Sequence, residues 1–265
     1  MVAPGPLASS SSSHNGTPIA PPMTGPATGL AGSQRTDRPV IEFHNVWKTY
    51  MTGAEPVYAL RGVSVKIYRG EYLSIIGPSG SGKSTFMHIL GCLDTPTSGR
   101  YLLAGNDVSK MDEEALAEVR NRRIGFVFQQ FHLLPSLSAW RNVELPLLYA
   151  GVGRHERKAR ALSALEQVGL ANRSSHRPNQ LSGGQQQRVA VARALVTEPD
   201  VVLADEPTGN LDSRASADVL SMFAEMHKAG RTVVLITHEN DVAAAAERIM
   251  RFRDGKFVDT EEAAA

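Results

Sequence analysis

The stretch GPSGSGKST, residues 77–85, limits this chain more than any other, because it matches G-x-x-x-x-G-K-[ST] at every required position. Apolar residues frame it. Tyr72, Leu73, Ser74, Ile75 and Ile76 read as a short buried strand, and Phe86, Met87, His88, Ile89 and Leu90 continue as a helix. A glycine loop at a strand-to-helix junction makes a phosphate site: Gly77, Gly80 and Gly82 let consecutive N–H groups turn inward, and the helix dipole adds positive potential. Lys83 then reaches the β- and γ-phosphates, and the Ser84 hydroxyl is placed for Mg²⁺. Pro78, Ser79, Ser81 and Thr85 complete the expected nucleotide-binding loop. The plain alternative is a glycine-rich turn before a helix that starts with a lysine. Phosphoryl transfer needs more parts, supplied from the ends of other strands.

Such parts recur along the chain. Ile124 to Phe128 reads as a buried strand running into Gln129, and Val201 to Ala204 as a fully apolar strand running into Asp205 and Glu206. Thr232 to Thr237 is a third, followed by His238. Between them lie helical patterns at 112–120, 140–149, 154–168, 182–196 and 213–227, the 154–168 segment basic at its start. Strands alternating with helices imply a mainly parallel sheet covered on both faces, whose ligand edge is the strand C-termini. Gln129, Asp205, Glu206 and His238 therefore converge with the loop at 77–85. Before the loop, 40–46 and 63–67 read as strands of a small antiparallel layer.

Composition excludes several other classes. With 265 residues, 42% hydrophobic and a formal net charge of +1, the chain has enough apolar content for a core and lacks the basic excess that marks nucleic-acid binding, so no nucleic-acid partner is expected. The single cysteine, Cys92, permits no intrachain disulfide and sits in an apolar setting that favours packing over reactivity. No apolar run approaches the ~18 residues of a membrane-spanning helix, so no direct membrane insertion is expected. No Lys or Arg precedes Arg35, so a secretory leader is not expected either. Residues 1–39 are dominated by Pro, Ser, Gly, Ala and Thr and read as a disordered tail without chemistry. Residues 261–265 read as a short C-terminal tail.

Taken together, GPSGSGKST, FVFQQ around Gln129, LSGGQQQR from Leu181, VVLADEPTG from Val201, NLD ending at Asp212 and ITH ending at His238 resemble the ATP-binding-cassette ATPases over almost everything after residue 39. The pentapeptide LSGGQ is the most specific element, since a fixed five-residue string arises by chance in only about one in several thousand chains of this length. GCLDTPTSG, VFQQFHLLP and NVELPLL are similar to the subgroup that contains macrolide exporters and lipoprotein-release ATPases.

The resemblance implies an α/β fold: a P-loop NTPase (RecA-like) core over residues 40–260, with a small antiparallel β layer and an inserted α-helical subdomain at about 111–178. It implies an ATPase with ATP and Mg²⁺ as cofactors. Asp205 with Ser84 and Gln129 would hold the metal. Glu206 would orient or deprotonate the attacking water, with His238, Lys83 and Gln129 as catalytic partners. Tyr50 would stack on adenine, the alternative being a half-buried aromatic at a strand end. Ser182, Gly183, Gly184 and Gln185 form a second phosphate-directed helix start, the hydroxyl serving as its cap, in a chain with one nucleotide to bind. The family resolves this with a head-to-tail homodimer in which each chain closes over ATP held by the other, and Asp212 would align the two sites.

The function expected is the ATP-hydrolysing subunit of an export or extraction complex, peripheral on the cytoplasmic face of the plasma (inner) membrane and working with a separate transmembrane permease. Phe131, Leu133 and Leu134 are candidate permease contacts, with core packing as the alternative. A mechanical or regulatory module that moves a membrane partner without cargo is the second expectation. A soluble cassette of DNA repair or translation is the third, disfavoured because the chain has neither a long coiled-coil insertion nor a second cassette.

Overall fold

The computed structural model describes residues 38–53 and 55–262. The expected disordered tail therefore lies outside the described residues except for Arg38 and Pro39. Two sheets face each other across one helix. The first is antiparallel: β1 (Pro39–Thr52) pairs with β2 (Glu55–Tyr68) and with β4 (Ser98–Leu103), which carries the short β5 (Asn106–Asp107) at its edge. β2 alternates exposed and buried residues toward its end, as a strand with one wet face must.

The second sheet runs in the order β10-β9-β3-β8-β7-β6, from β3 (Tyr72–Ile76), β6 (Ile124–Phe128), β7 (Val201–Asp205), β8 (Thr232–Thr237), β9 (Arg248–Arg253) and β10 (Lys256–Glu262). All pairings are parallel except β9 with β10. Every residue of β3 and β8 is buried, which is why these strands are apolar without alternation. β10 continues to Glu262, so pairing with β9 takes up the first two residues of the expected C-terminal tail.

Helix α1 (Lys83–Leu90) lies between the sheets. Its Phe86 ring centroid stands 5.1 Å from that of Phe43 in the first sheet and 5.7 and 5.2 Å from those of Phe252 and Phe257 in the second. These tilted and edge-on contacts lock the helix in place. On the far face of the second sheet, α3 (Ala139–Tyr149), α4 (Arg154–Gln167), α5 (Gly183–Leu195) and α6 (Ser213–Lys228) build the larger core around Val143, Leu165, Val189, Val191, Val219 and Phe223. α2 (Glu113–Arg123), capped by the Asp112 carboxylate on the Ala115 N–H, leads directly into β6. Hence the stretch 111–178 is helical only in part, because β6 runs inside it as an edge strand of the second sheet. A short α7 (Asn240–Ala243) precedes β9.

Register sets the functional edge. Phe128 pairs with Asp205, Asp205 with Ile236 and Ile76 with Thr237, so the C-terminal ends of β6, β7, β8 and β3 lie level.

Candidate active site

A cleft of about 1140 Å³ opens at that level edge, lined by residues 78–85, Gln129, Asp205, Glu206 and His238. The four strand ends thus bring together the groups that the sequence places there. The loop needs its glycines: Gly82, the N-cap of α1, has φ 106°, and a Cβ on it would stand 2.5 Å from the Ala59 carbonyl oxygen. No side chain caps α1, so the first N–H groups of the helix stay free for an anion. The Lys83 ammonium donates to the Gly77 and Pro78 carbonyls at 2.7 and 2.9 Å. Partial burial pulls its pKa below the ordinary lysine value, against the opposing pull of Glu206 and Asp205.

The acidic pair is held in two different ways. Burial raises the Asp205 pKa, the Glu206 charge raises it further, and His88 and Lys83 act the other way. Glu206 takes a left-handed backbone with φ 46°, rare for a residue with a side chain, and its N–H is fixed on the Ile236 carbonyl at 2.8 Å. That turn brings the carboxylate back over the end of β8: Thr237 Oγ1 donates to Oε2 at 3.3 Å, and His238 Nδ1 lies 2.8 Å from Oε1. An ionised carboxylate only accepts, so the proton of the second bond sits on Nδ1. The bond and the charge of Glu206 hold the His238 imidazole above the ordinary histidine pKa although the ring is 66% exposed. Gln129 joins the same rim, with Asn210 Nδ2 donating to its backbone oxygen at 3.1 Å.

Ser182, Gly184, Gln185 and Asp212 line a different hollow of about 560 Å³, which shares no residue with the cleft. Ser182 and Gln185 form a capping box: the Gln185 N–H donates to Ser182 Oγ at 3.3 Å and the Ser182 N–H to Gln185 Oε1 at 3.0 Å. The hydroxyl proton of Ser182 remains to be donated. Asp212 caps α6 by accepting from the Ala215 N–H at 2.8 Å. The glycines here differ in purpose. A Cβ on Gly184 would meet the Ala215 Cβ at 2.8 Å, so this residue lets α5 approach α6, while Gly183 has only ordinary contacts around it.

Tyr50 lines neither hollow, but its hydroxyl is in side-chain hydrogen-bond contact with Thr85, which does line the cleft, so the ring stands at the cleft's edge. Its hydroxyl donates to Asp94 Oδ2 at 2.8 Å, and the Lys48 ammonium stands 4.9 Å from the ring centroid. The residues that wall the cleft opposite the strand ends are Pro56, Val57, Tyr58 and Ala59 of β2, together with the turn at Asp254 and Gly255. The sequence reading missed these because an exposed Val-Tyr pair in a strand carries no signal of its own. Gly255 ties the wall to the loop, its N–H donating to the Ser81 carbonyl at 2.8 Å and its oxygen accepting from Arg61 N–H at 2.9 Å.

Of the three apolar residues after Gln130, Leu133 packs against the main core and Leu134 is 47% exposed. Phe131 and His132 both have left-handed backbones, φ 58° and 47°, and the Arg193 guanidinium of α5 donates to both of their carbonyls. Beside them runs an apolar groove of about 790 Å³ between α2, α3 and β6, lined by Leu93, Phe126, Phe128, Leu145 and Tyr149. None of Phe131, Leu133 and Leu134 lines it. Among the described residues, no helix is long and apolar enough to cross a membrane.

The family model described as "ABC transporter" matches residues 60–209. An uncharacterized ABC transporter ATP-binding protein of Thermotoga maritima is 56% identical over 218 residues, covering 82% of this chain and 93% of that protein. The macrolide export ATP-binding/permease protein MacB of Hyphomonas neptunium is 53% identical over 220 residues, which are 83% of this chain and 34% of that longer protein. The ATP-binding cassette MJ0796, solved as a dimer in a post-hydrolysis state bound to ADP and Pi, superposes with a TM-score of 0.78 at 44% identity, covering 85% of this chain and 99% of that one.

Proposed function

We propose, for a chain that belongs to the ABC transporter family and is an ATPase of its cassette type, that ATP hydrolysis in a homodimer of this cassette drives a separate membrane permease in export or extraction. The supporting observation is the split between the two hollows. One chain carries two helix starts, at Lys83 and just after Ser182, that line separate cavities without a common residue, which supports a reading in which each serves a different nucleotide. Two chains arranged head to tail would let the Ser182 hydroxyl and the N–H groups of Gly183 and Gly184 close over the triphosphate held by the partner. The relative MJ0796 is a dimer, which fits this arrangement.

In this reading the chain's own groups divide the work as follows. The N–H groups of the loop and the Lys83 ammonium bind the β- and γ-phosphates. Glu206, positioned by its left-handed turn and by Thr237, orients the water and takes its proton. His238 keeps Nδ1 on Glu206 and offers Nε2 to the γ-phosphate, its raised pKa favouring the donor form. Ser84, Gln129 and Asp205 are hard oxygen donors whose set fits Mg²⁺, and a cation beside Asp205 would offset the burial and the Glu206 charge that now raise its pKa. That ion supplies neutralisation of phosphate charge when bound. The permease is proposed to dock in the groove lined by Leu93, Phe126, Phe128, Leu145 and Tyr149, with the cassette peripheral on the cytoplasmic face.

The test is Glu206→Gln at saturating Mg-ATP. Hydrolysis falls by about 10²–10⁴-fold, as for loss of a general base, and light scattering after size exclusion finds an ATP-loaded dimer. A variant that stays monomeric under those conditions rules the sandwich out. Reconstitution with the permease in vesicles then separates transport from a purely mechanical output, because only transport moves substrate across the bilayer.

A further inference from the structure

The segment from Leu93 to Ser98 lies outside the lining of the nucleotide cleft, yet it is bonded closely to β1 beside Tyr50. Thr97 N–H donates to the Trp47 carbonyl at 2.8 Å, and Thr49 N–H donates to Thr97 Oγ1 at 3.0 Å. These main-chain bonds already fasten the segment to the strand. Asp94 adds something different. Its Oδ1 accepts from the Lys48 ammonium at 2.5 Å and its Oδ2 from the Tyr50 hydroxyl at 2.8 Å, so one carboxylate spans the two side chains. Lys48 is pinned a second time on the Thr95 carbonyl at 2.8 Å, and from there its ammonium lies 4.9 Å from the Tyr50 centroid.

An aromatic ring that is 38% exposed on a strand would otherwise sample several rotamers. Here the phenol is tethered at its tip and a cation sits near the ring, a fixed arrangement of a kind that lowers the ordering cost of a stacked ligand. Burial alone would raise the Asp94 pKa, but the bonds from Lys48, Tyr50 and the Thr95 N–H together hold it below the ordinary value, so the carboxylate stays charged at neutral pH. Burial and Asp94 likewise raise the pKa of Tyr50, against a smaller opposing effect of a side-chain bond with Thr85, so its hydroxyl stays protonated and able to donate.

We propose that Asp94, acting with Lys48, is a positioning residue for base recognition: it holds the Tyr50 ring in the pose that stacks on adenine, and so sets affinity for adenine nucleotide without touching it. This rests on the reading of Tyr50 as the adenine platform. The residues 94–97 then have a function distinct from that of the phosphate loop, and the carboxylate is the link between them and the base.

Titration calorimetry of the full chain with Mg-ATP and, separately, with inorganic tripolyphosphate separates the possibilities, with thermal melts to confirm folding. Tyr50→Ala weakens ATP binding by about tenfold or more, the scale of one base–aromatic stack, and leaves tripolyphosphate unchanged. Asp94→Ala and Tyr50→Phe each weaken ATP binding several-fold with tripolyphosphate again unchanged. The double variant Tyr50→Ala/Asp94→Ala is no weaker than Tyr50→Ala alone, since a positioning residue has nothing left to position. Asp94→Asn, which keeps an oxygen acceptor for the phenol, recovers most of the Asp94→Ala loss. If Tyr50→Ala weakens ATP binding while Asp94→Ala does not, the clamp is wrong and the platform stands. If Asp94→Ala weakens both ligands equally, its role is general support of the fold and the proposal fails. If Tyr50→Ala has no effect, the platform reading fails and takes the clamp with it.

Discussion

Nδ1 of His238 lies 2.8 Å from Oε1 of Glu206, so the residue that follows β8 is bonded to the acid that follows β7. The bond has a pH signature. Because the folded-state pKa of His238 is raised, the pairing is at full strength below the ordinary histidine pKa of ~6.5 and is lost as pH rises through the higher folded value. Histidine NMR of the nucleotide-free protein is expected to show His238 titrating above ~6.5, and Glu206→Gln to return it toward that value. A midpoint at or below the ordinary value in the unaltered protein refutes the pairing.

Gly184→Ala sets two effects against each other. Alanine is the better helix former by about 1 kcal/mol, but its Cβ would stand 2.8 Å from that of Ala215, in the first turn of α6. Overpacking of this kind costs about 1–3 kcal/mol, so the net effect expected is destabilisation and a melting temperature lower by a few degrees. Ala215→Gly in the same chain removes the opposing methyl and recovers most of the loss. A melting temperature that rises in the single variant contradicts the close approach.

The groove prediction turns on Tyr149, which is 79% exposed at the end of α3. Tyr149→Glu places a charge where an apolar partner surface is proposed to sit. Flotation of the permease-containing membranes should show lost recruitment of the cassette, with ATP affinity unchanged within about twofold, since the residue lies outside the nucleotide cleft. Leu134→Glu is the control for position: Leu134 is exposed but lies outside the groove lining, so its effect on recruitment is expected to be weaker. Equal recruitment of Tyr149→Glu and the unaltered chain removes the groove as the docking site.

Arg193 donates to the carbonyls of Phe131 and His132, the two adjacent residues with left-handed backbones. Its substitution by Met keeps most of the volume and removes both bonds. The expected cost is about 1–3 kcal/mol for leaving polar groups unmatched, and hydrogen exchange should speed up locally at residues 131–134. Unchanged exchange there would falsify the anchoring.

The glycine loop and the strand-terminal acids were legible in the sequence because each is a local pattern: a run of apolar residues, then polar or glycine residues at the strand's C-terminal end, the edge where α/β sheets place ligands. What escaped depends on contacts between distant segments. The wall formed by Val57 and Tyr58 exists because β2 is folded back against β1, and nothing in an exposed Val-Tyr pair announces it. Gly183 and Gly184 read alike as exposers of N–H groups, yet only Gly184 is required by the approach of α6. Asp212, expected to align the two sites between chains, also caps α6, a role that an Asp directly before a helical run suggests. Leu133 shows the ambiguity of a short apolar run, since the same residue type serves for docking and for core, and here it packs inward.

In the head-to-tail pair proposed above, the anchor at Arg193 would join two parts that work on different molecules of nucleotide. It belongs to the same rigid helix as the cap at Ser182, about 16 Å along the axis at 1.5 Å per residue, and it grips the backbone two and three positions beyond Gln129. A tilt of α5 imposed from one end would therefore reach the glutamine segment as a pull on its main chain, the way a lever moves whatever is pinned to its far arm. Closure of one subunit over its neighbour's triphosphate would in this way be felt in the first subunit's own cleft and along the flank of its groove.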